Sequence, residues 1–202
     1  MIYIRKRKLL MIEVSDAIQI VQGRLSERRF QHSLNVAKLA ADLAVSFGVD
    51  SEKAYLVGIL HDYAKDLTAD ELLLIAEDNG IINNEVERQV PDLLHAPVGA
   101  LLIEKELGIK DSEILEAVRA HTLGSVNMSI LDKIIFLADM IEPDRKAYPD
   151  LERLRQLSSS DLDAAMLLGL ESAIRYCLNL QLMLHPRTVS VRNLFLQKIA
   201  EL

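Results

Sequence analysis

Residues 26–48 read SERRFQHSLNVAKLAADLAVSFG, and this stretch decides the fold class. His32, Val36, Leu39 and Leu43 fall at i, i+4, i+7 and i+11, one inward stripe of the helical period with a histidine at its end. Ser26 stands where a side chain caps a first turn, and Gly48 where a left-handed residue closes a last one. A helix is therefore predicted from about Glu27 to Phe47.

The same period recurs on both sides, and alternating strand patterns are nearly missing. A leading helix is expected over about Glu13 to Leu25 and a third over about Glu52 to Lys65. Thr68 with Glu71 makes a capping box for a fourth, and Asn83 and Asn84 open a short fifth. Pro97 in the first turn and Gly108 as the stop frame a helix from about Leu94 to Leu107. Asp111 caps one reaching His121, and Ser129 caps one ending before Pro143. Ser160 precedes a long helix to about Leu182, and a final helix follows Pro186. The chain is expected to be an all-α bundle of about nine to ten helices, with a tail and leading helix over 1–25 and a single domain over 26–202.

Composition agrees. Of 202 residues 50% are hydrophobic, enough for one buried core, while 4% are aromatic and none is Trp, which suits packed helices. No apolar run approaches the ~20 residues that cross a bilayer. The net charge of −7 argues against a nucleic-acid binder, so an anionic substrate needs a metal ion or a few placed cations. The single Cys177 forms no internal disulfide, which points to a reducing, cytoplasmic compartment; its apolar surroundings predict a buried thiol and not a nucleophile. The basic run Arg5, Lys6, Arg7, Lys8 precedes Met11, lacks the features of a secretory signal, and reads as a frayed tail or a misplaced start. The apolar content is compatible with a homodimer.

Polar residues on apolar faces carry the chemistry. Ala54, Val57, Gly58 and His61 share a face, Asp62 follows at once, and Gly58 lets a neighbouring helix come close. Leu131, Ile135, Ala138 and Asp139 form another stripe. A buried carboxylate needs a partner. A lone His32 is more commonly a satisfied core histidine, and Asp139 alone is equally an ion-pair member. Three helices each offering imidazole or carboxylate from an apolar face are explained together by one shared cation. Nitrogen and oxygen donors without thiolate suit iron, manganese, cobalt or zinc. Such an ion acidifies its water and polarises a phosphoryl oxygen. Asp62 beside it can orient or deprotonate that water, while His95 and His121 reach phosphate oxygens or a second ion. Arg145 is placed to fork onto a phosphate, or to lie solvated in its loop. Lys65 reaches phosphate or pairs with Asp62. His185, beside Pro186, is expected to be a solvated loop residue.

The order His32, His61-Asp62, Asp139 resembles the HD-domain phosphohydrolase superfamily. The stretches RRFQHSLNVAKLA, ILHDYAKDL, LLHAPVGA, VRAHTLG, LDKIIFLADMIEPDR and HPRTVSVRN are similar to the YqeK family of symmetrical bis(5′-nucleosyl)-tetraphosphatases, over roughly residues 26–193. The resemblance implies a single HD-domain helical bundle and an iron-type ion on His32, His61, Asp62 and Asp139, with one or two ions in all. It implies cleavage of diadenosine tetraphosphate into two ADP, with Asp62, His95 and His121 catalytic. The nucleotide product, ADP or GDP, is then expected against His32, Asn35, Asp62, His95, His121 and Arg145, with Leu184, His185, Pro186, Arg187, Thr188 and Val189 near the nucleoside. The sequence departs from the family at Thr122-Leu123-Gly124-Ser125, where the pattern has Thr-Thr-Gly-Arg, which bears on substrate affinity and leaves the metal set intact. Because fold does not fix substrate, three alternatives stand beside this reading. They are a phosphatase or phosphodiesterase for mononucleotides or cyclic nucleotides, a non-catalytic nucleotide-binding module, and a structural helical adaptor.

Overall fold

A computed structural model describes residues 12–200, so the basic run at residues 5–8 and Met11 lie outside the described residues. Among the described residues there are eleven α-helices, one 3-10 turn and no strand. The helices are α1 (Val14–Arg24), α2 (Glu27–Ser46), α3 (Ser51–Leu60), α4 (Ala69–Asp78), α5 (Glu85–Gln89), α6 (His95–Leu107), α7 (Ser112–Ala120), α8 (Ile130–Ile141), α9 (Leu151–Ser158), α10 (Leu162–Asn179) and α11 (Pro186–Ala200). The 3-10 turn, Pro91–Leu94, runs directly into α6. None of these helices is long and apolar enough to cross a membrane.

The all-α expectation holds, with one helix more than expected. The addition is α9, eight residues that bury only Leu151, Leu154 and Ser158. Its stripe is too short to stand out from a loop rich in Pro, Asp and Arg. Capping boxes open α4, α5 and α8 through Thr68, Asn84 and Ser129, and Asp111 caps α7. Gly48 and Gly108 end α2 and α6 with positive φ. Ser26 makes no side-chain cap; its backbone N–H donates instead to Asp66 Oδ2 at 2.6 Å. Asp161, just after Ser160, caps α10, which stops at Asn179, short of Leu182. The third helix ends at Leu60, short of Lys65. Beyond it the chain tightens into i→i+3 turns, with Tyr63 N–H on Leu60 O and Lys65 N–H on Asp62 O.

The core sits where α2, α3, α7 and α8 meet. Val36, Leu43, Leu56, Leu60, Ile134 and Leu137 are among its buried members, and Ala17, Val21 and Leu25 of α1 join it. Burying such side chains contributes about 1.5–3 kcal/mol each. The tightest contact is between α2 and α3: a Cβ on Gly58 would lie 2.5 Å from Ala37 Cα. The chain folds this way locally because glycine there lets two backbones meet. A satellite cluster of Ala64, Leu72, Ala76, Leu94 and Val98 underlies the segment that presents His95.

Candidate active site

Three of the five histidines hook onto their own backbone. His61 follows the last residue of α3, with Nδ1 2.8 Å from the Gly58 carbonyl. His121 stands in the same relation to α7, with Nδ1 2.7 Å from the Val118 carbonyl. His95 opens α6 with Nδ1 on the Asp92 carbonyl. A helix leaves its last carbonyls unpaired, and an imidazole at the terminus reaches one of them three residues back. Carbonyls only accept, so each Nδ1 carries the proton and each Nε2 keeps a lone pair. His32, on α2, has Nδ1 3.3 Å from Glu142 Oε1, with Nε2 on the opposite edge of the ring.

These four Nε2 atoms converge on two carboxylates. His32 Nε2 lies 3.0 Å from Asp139 Oδ1, close but outside hydrogen-bond alignment, and 3.9 Å from Asp62 Oδ2. His61 Nε2 is 3.6 Å from Asp62 Oδ2 and 3.9 Å from Asp139 Oδ1. On the other side of Asp62, Oδ1 is 3.4 Å from His95 Nε2 and 3.7 Å from His121 Nε2, which are 3.0 Å from each other. The Thr122 hydroxyl is 3.2 Å from both of these nitrogens. The structure thus brings together His32, His61, Asp62, His95, His121 and Asp139.

Lone pairs facing lone pairs and carboxylates repel unless something positive lies between them. His32 Nε2 and His61 Nε2 are buried without a hydrogen-bond partner. Two triads, His32–His61–Asp139 and His61–Asp62–His121, have donor atoms spaced to hold a metal ion. The C-terminal ends of α3, α7 and α8 also point here, adding the negative ends of three helix dipoles. Burial, with Asp62 pulling the other way and His121 assisting, holds His61 at a pKa of about 4. Burial and His121 likewise hold His95 at about 4. Both imidazoles are therefore neutral near pH 7. Burial opposes ionisation of Asp139, but His32 and Arg145 outweigh it and hold its carboxyl well below the usual range. Asp62 is likewise held down, burial being outweighed by His61, His121 and His95. For His32, burial is outweighed by Asp139 and Asp62, and its pKa rises. The donors fit a borderline divalent ion.

Cations ring the cluster. Arg145 forks onto Asp139 itself, through Nη2 to Oδ1 and through Nε to the backbone carbonyl at 2.6 Å, and so is not a free loop residue. Lys65 Nζ lies 2.7 Å from Asp92 Oδ2, not on Asp62. Arg29 Nη1 is 3.3 Å from Asp62 Oδ2, and Asn35 Nδ2 donates to Glu142 Oε2 and Asp144 Oδ2. Arg29 and Glu142 were missed in sequence. Arg29 precedes His32 by three and shares its face, which is a usable signal; Glu142 lies past a helix end and gave none.

His185 corrects an expectation: it is buried, with Nε2 3.3 Å from buried Glu87 Oε1, and its Nδ1 accepts from Arg187 N–H. Among the described residues no hydrogen bond or ion pair joins residues 184–189 to the other four histidines. His185 instead meets α5 through Glu87, and Val191 of α11 packs on Gly124. Ser125 lines a separate cleft of about 260 Å³ with Lys133 and Phe195. Cys177 is half-buried, less so than expected, and burial raises its thiol pKa, so it is no thiolate nucleophile.

Comparison with known proteins adds family evidence to this geometry. The family model "HD domain" matches residues 29–144. The chain is 39% identical to a protein of Halalkalibacterium halodurans named bis(5′-nucleosyl)-tetraphosphatase, symmetrical, over 88% of this chain and 94% of that one. It is 35% identical to a Bacillus subtilis protein of the same name, over 88% and 95%. A crystal structure from Clostridium acetobutylicum, described as a predicted HD superfamily hydrolase involved in NAD metabolism, superposes with a TM-score of 0.88 at 33% identity, covering 93% of this chain and 99% of that one.

Proposed function

The chain belongs to the HD domain family, and from that premise we propose that it hydrolyses dinucleoside polyphosphates, cutting diadenosine tetraphosphate symmetrically into two ADP. The observation that carries the proposal is the set of four Nε2 atoms aimed at two carboxylates, two of those atoms buried without a hydrogen-bond partner, an arrangement that calls for a cation. His32, His61, Asp62 and Asp139 would hold a divalent ion, iron first, with manganese, cobalt or zinc as alternatives. When bound, such an ion supplies Lewis acidity and a water made far more acidic than bulk water, its pKa brought towards ~7.

The chain's own residues supply the rest. Asp62 turns Oδ2 towards His32 and His61 and Oδ1 towards His95 and His121, so one oxygen can bind while the other takes the proton of the attacking water. His95 and His121 keep bare Nε2 atoms, which favours a role beside a second ion over direct donation to phosphate. Arg145, Arg29 and Lys65 stand around the cluster as the cations to meet phosphate oxygens, in a chain whose net charge is −7. Asn35 and residues 184–189 would border the nucleotide. A single half-buried cysteine suits a cytoplasmic setting.

Chromatography of the products tests the reaction. Diadenosine tetraphosphate should give ADP alone; ATP plus AMP would mean asymmetric cleavage, and turnover confined to mononucleotides or cyclic nucleotides would favour the phosphatase or phosphodiesterase alternative. His95→Ala and His121→Ala should each keep an ion on His32, His61 and Asp139 yet lose turnover by roughly 10²–10⁴-fold. Wild-type kinetics in either variant removes that residue from the mechanism.

A further inference from the structure

We infer that Glu142 is a positioning residue that sets the tautomer of His32, keeping its proton on Nδ1 so that the Nε2 lone pair is free for the cation. The inference rests on the metal-binding reading above and adds a residue to it. Glu142 follows the last residue of α8, where φ −51° and ψ 156° turn the chain out of the helix. Arg155 of α9 fixes that turn from behind, with Nε donating to Ile141 O at 3.2 Å and Nη2 to Glu142 O at 3.1 Å. The carboxylate, 4% exposed, is thereby aimed at α2. Its Oε2 accepts from Asp144 N–H at 2.7 Å and Asn35 Nδ2 at 3.2 Å, while Oε1 faces His32 Nδ1 at 3.3 Å. Both ring nitrogens face a carboxylate oxygen, but only Nδ1 is aligned for a hydrogen bond to one, so the proton of the neutral ring belongs there. A carboxylate behind a ligating imidazole fixes its orientation and raises its basicity, and losing it typically costs 10–100-fold in metal affinity.

This arrangement gives an outcome that packing alone does not. Glutamine matches glutamate in size but offers one oxygen and one NH2. Its oxygen would settle on the two donors, Asp144 N–H and Asn35 Nδ2, leaving the NH2 facing His32 Nδ1. That nitrogen must then accept, and the proton moves to Nε2, the atom the cation needs, on the side of Asp139 Oδ1 3.0 Å away. Glu142→Gln should therefore bind a cation more weakly than Glu142→Ala, in which Nδ1 faces no donor. A residue that only filled space would give the opposite order.

The test uses the full chain with Zn²⁺, which is diamagnetic. Affinity is read by chelator competition, and the tautomer by long-range ¹H–¹⁵N imidazole spectra with the pH raised until the His32 ring is neutral. Expected are a wild-type His32 protonated on Nδ1, and a Glu142→Gln variant protonated on Nε2 with Zn²⁺ affinity roughly 10–100-fold lower. A Glu142→Gln variant with Nδ1–H and wild-type affinity overturns the inference and leaves the proposed function standing. Wild-type His32 protonated on Nε2 overturns the inference without any variant. A wild-type chain that takes up no Zn²⁺ removes the metal reading, and this inference with it.

Discussion

Asp139→Ala is expected to give a folded, fully helical protein that holds almost no divalent ion and turns over diadenosine tetraphosphate at least roughly a thousandfold more slowly. The size follows from the several kcal/mol that a Lewis-acid ion contributes to phosphoryl transfer. Asp139 Oδ1 is the oxygen that meets both His32 Nε2, at 3.0 Å, and His61 Nε2, at 3.9 Å, so removing it dismantles the first triad. The fold should survive, because what the alanine strands is Arg145, whose side chain is 36% exposed and can turn to water. Circular dichroism, elemental analysis and product chromatography on one preparation decide it. A folded variant with full metal occupancy would overturn the ligand assignment.

Gly58→Ala is the largest expected effect on stability. The new Cβ would meet Ala37 Cα at 2.5 Å and Ala37 N at 2.8 Å, both backbone atoms with no rotamer to retreat into. Alanine gains about 1 kcal/mol of helix propensity over glycine, but forcing extra volume into a packed contact costs about 1–3 kcal/mol and occasionally more. Contact with backbone puts this site at the upper end, for a net loss of about 2 kcal/mol. Gly23, in α1 with nothing within 4 Å, provides the control: its alanine variant keeps the propensity gain without the clash. Urea midpoints of the two variants should move in opposite directions. Because His61 Nδ1 hangs on the Gly58 carbonyl, parting α2 from α3 also shifts a proposed ligand, and metal affinity should fall together with stability. A Gly58→Ala protein as stable as wild type would mean that α2 and α3 do not approach this closely.

The readable parts of the sequence were those in which local pattern and burial agree. His32, His61 and Asp139 stand out because polar groups interrupt apolar stripes, and the structure brings them within 4 Å of shared oxygens. Thr68, Asn84, Asp111 and Ser129 could be read because a cap and its partner lie a few residues apart. What escaped was set by distant partners. Ser26 makes no side-chain cap, and its backbone N–H goes to Asp66 in a distant turn. His185 is buried because Glu87, from an unrelated helix, lies against it. Glu142 looks like an ordinary loop acid until α2 lays His32 and Asn35 across it. Arg145 was read as free for phosphate or solvent, whereas its nearest anion is Asp139.

The two oxygens of Asp62 look into different halves of the pocket, Oδ2 towards His32 and His61, Oδ1 towards His95 and His121. A carboxylate shares its electrons between its oxygens, so whatever draws density through one leaves the other less basic. Grip on an ion and appetite for a proton are therefore two ends of a single lever, and evolution cannot strengthen one at this residue without weakening its counterpart.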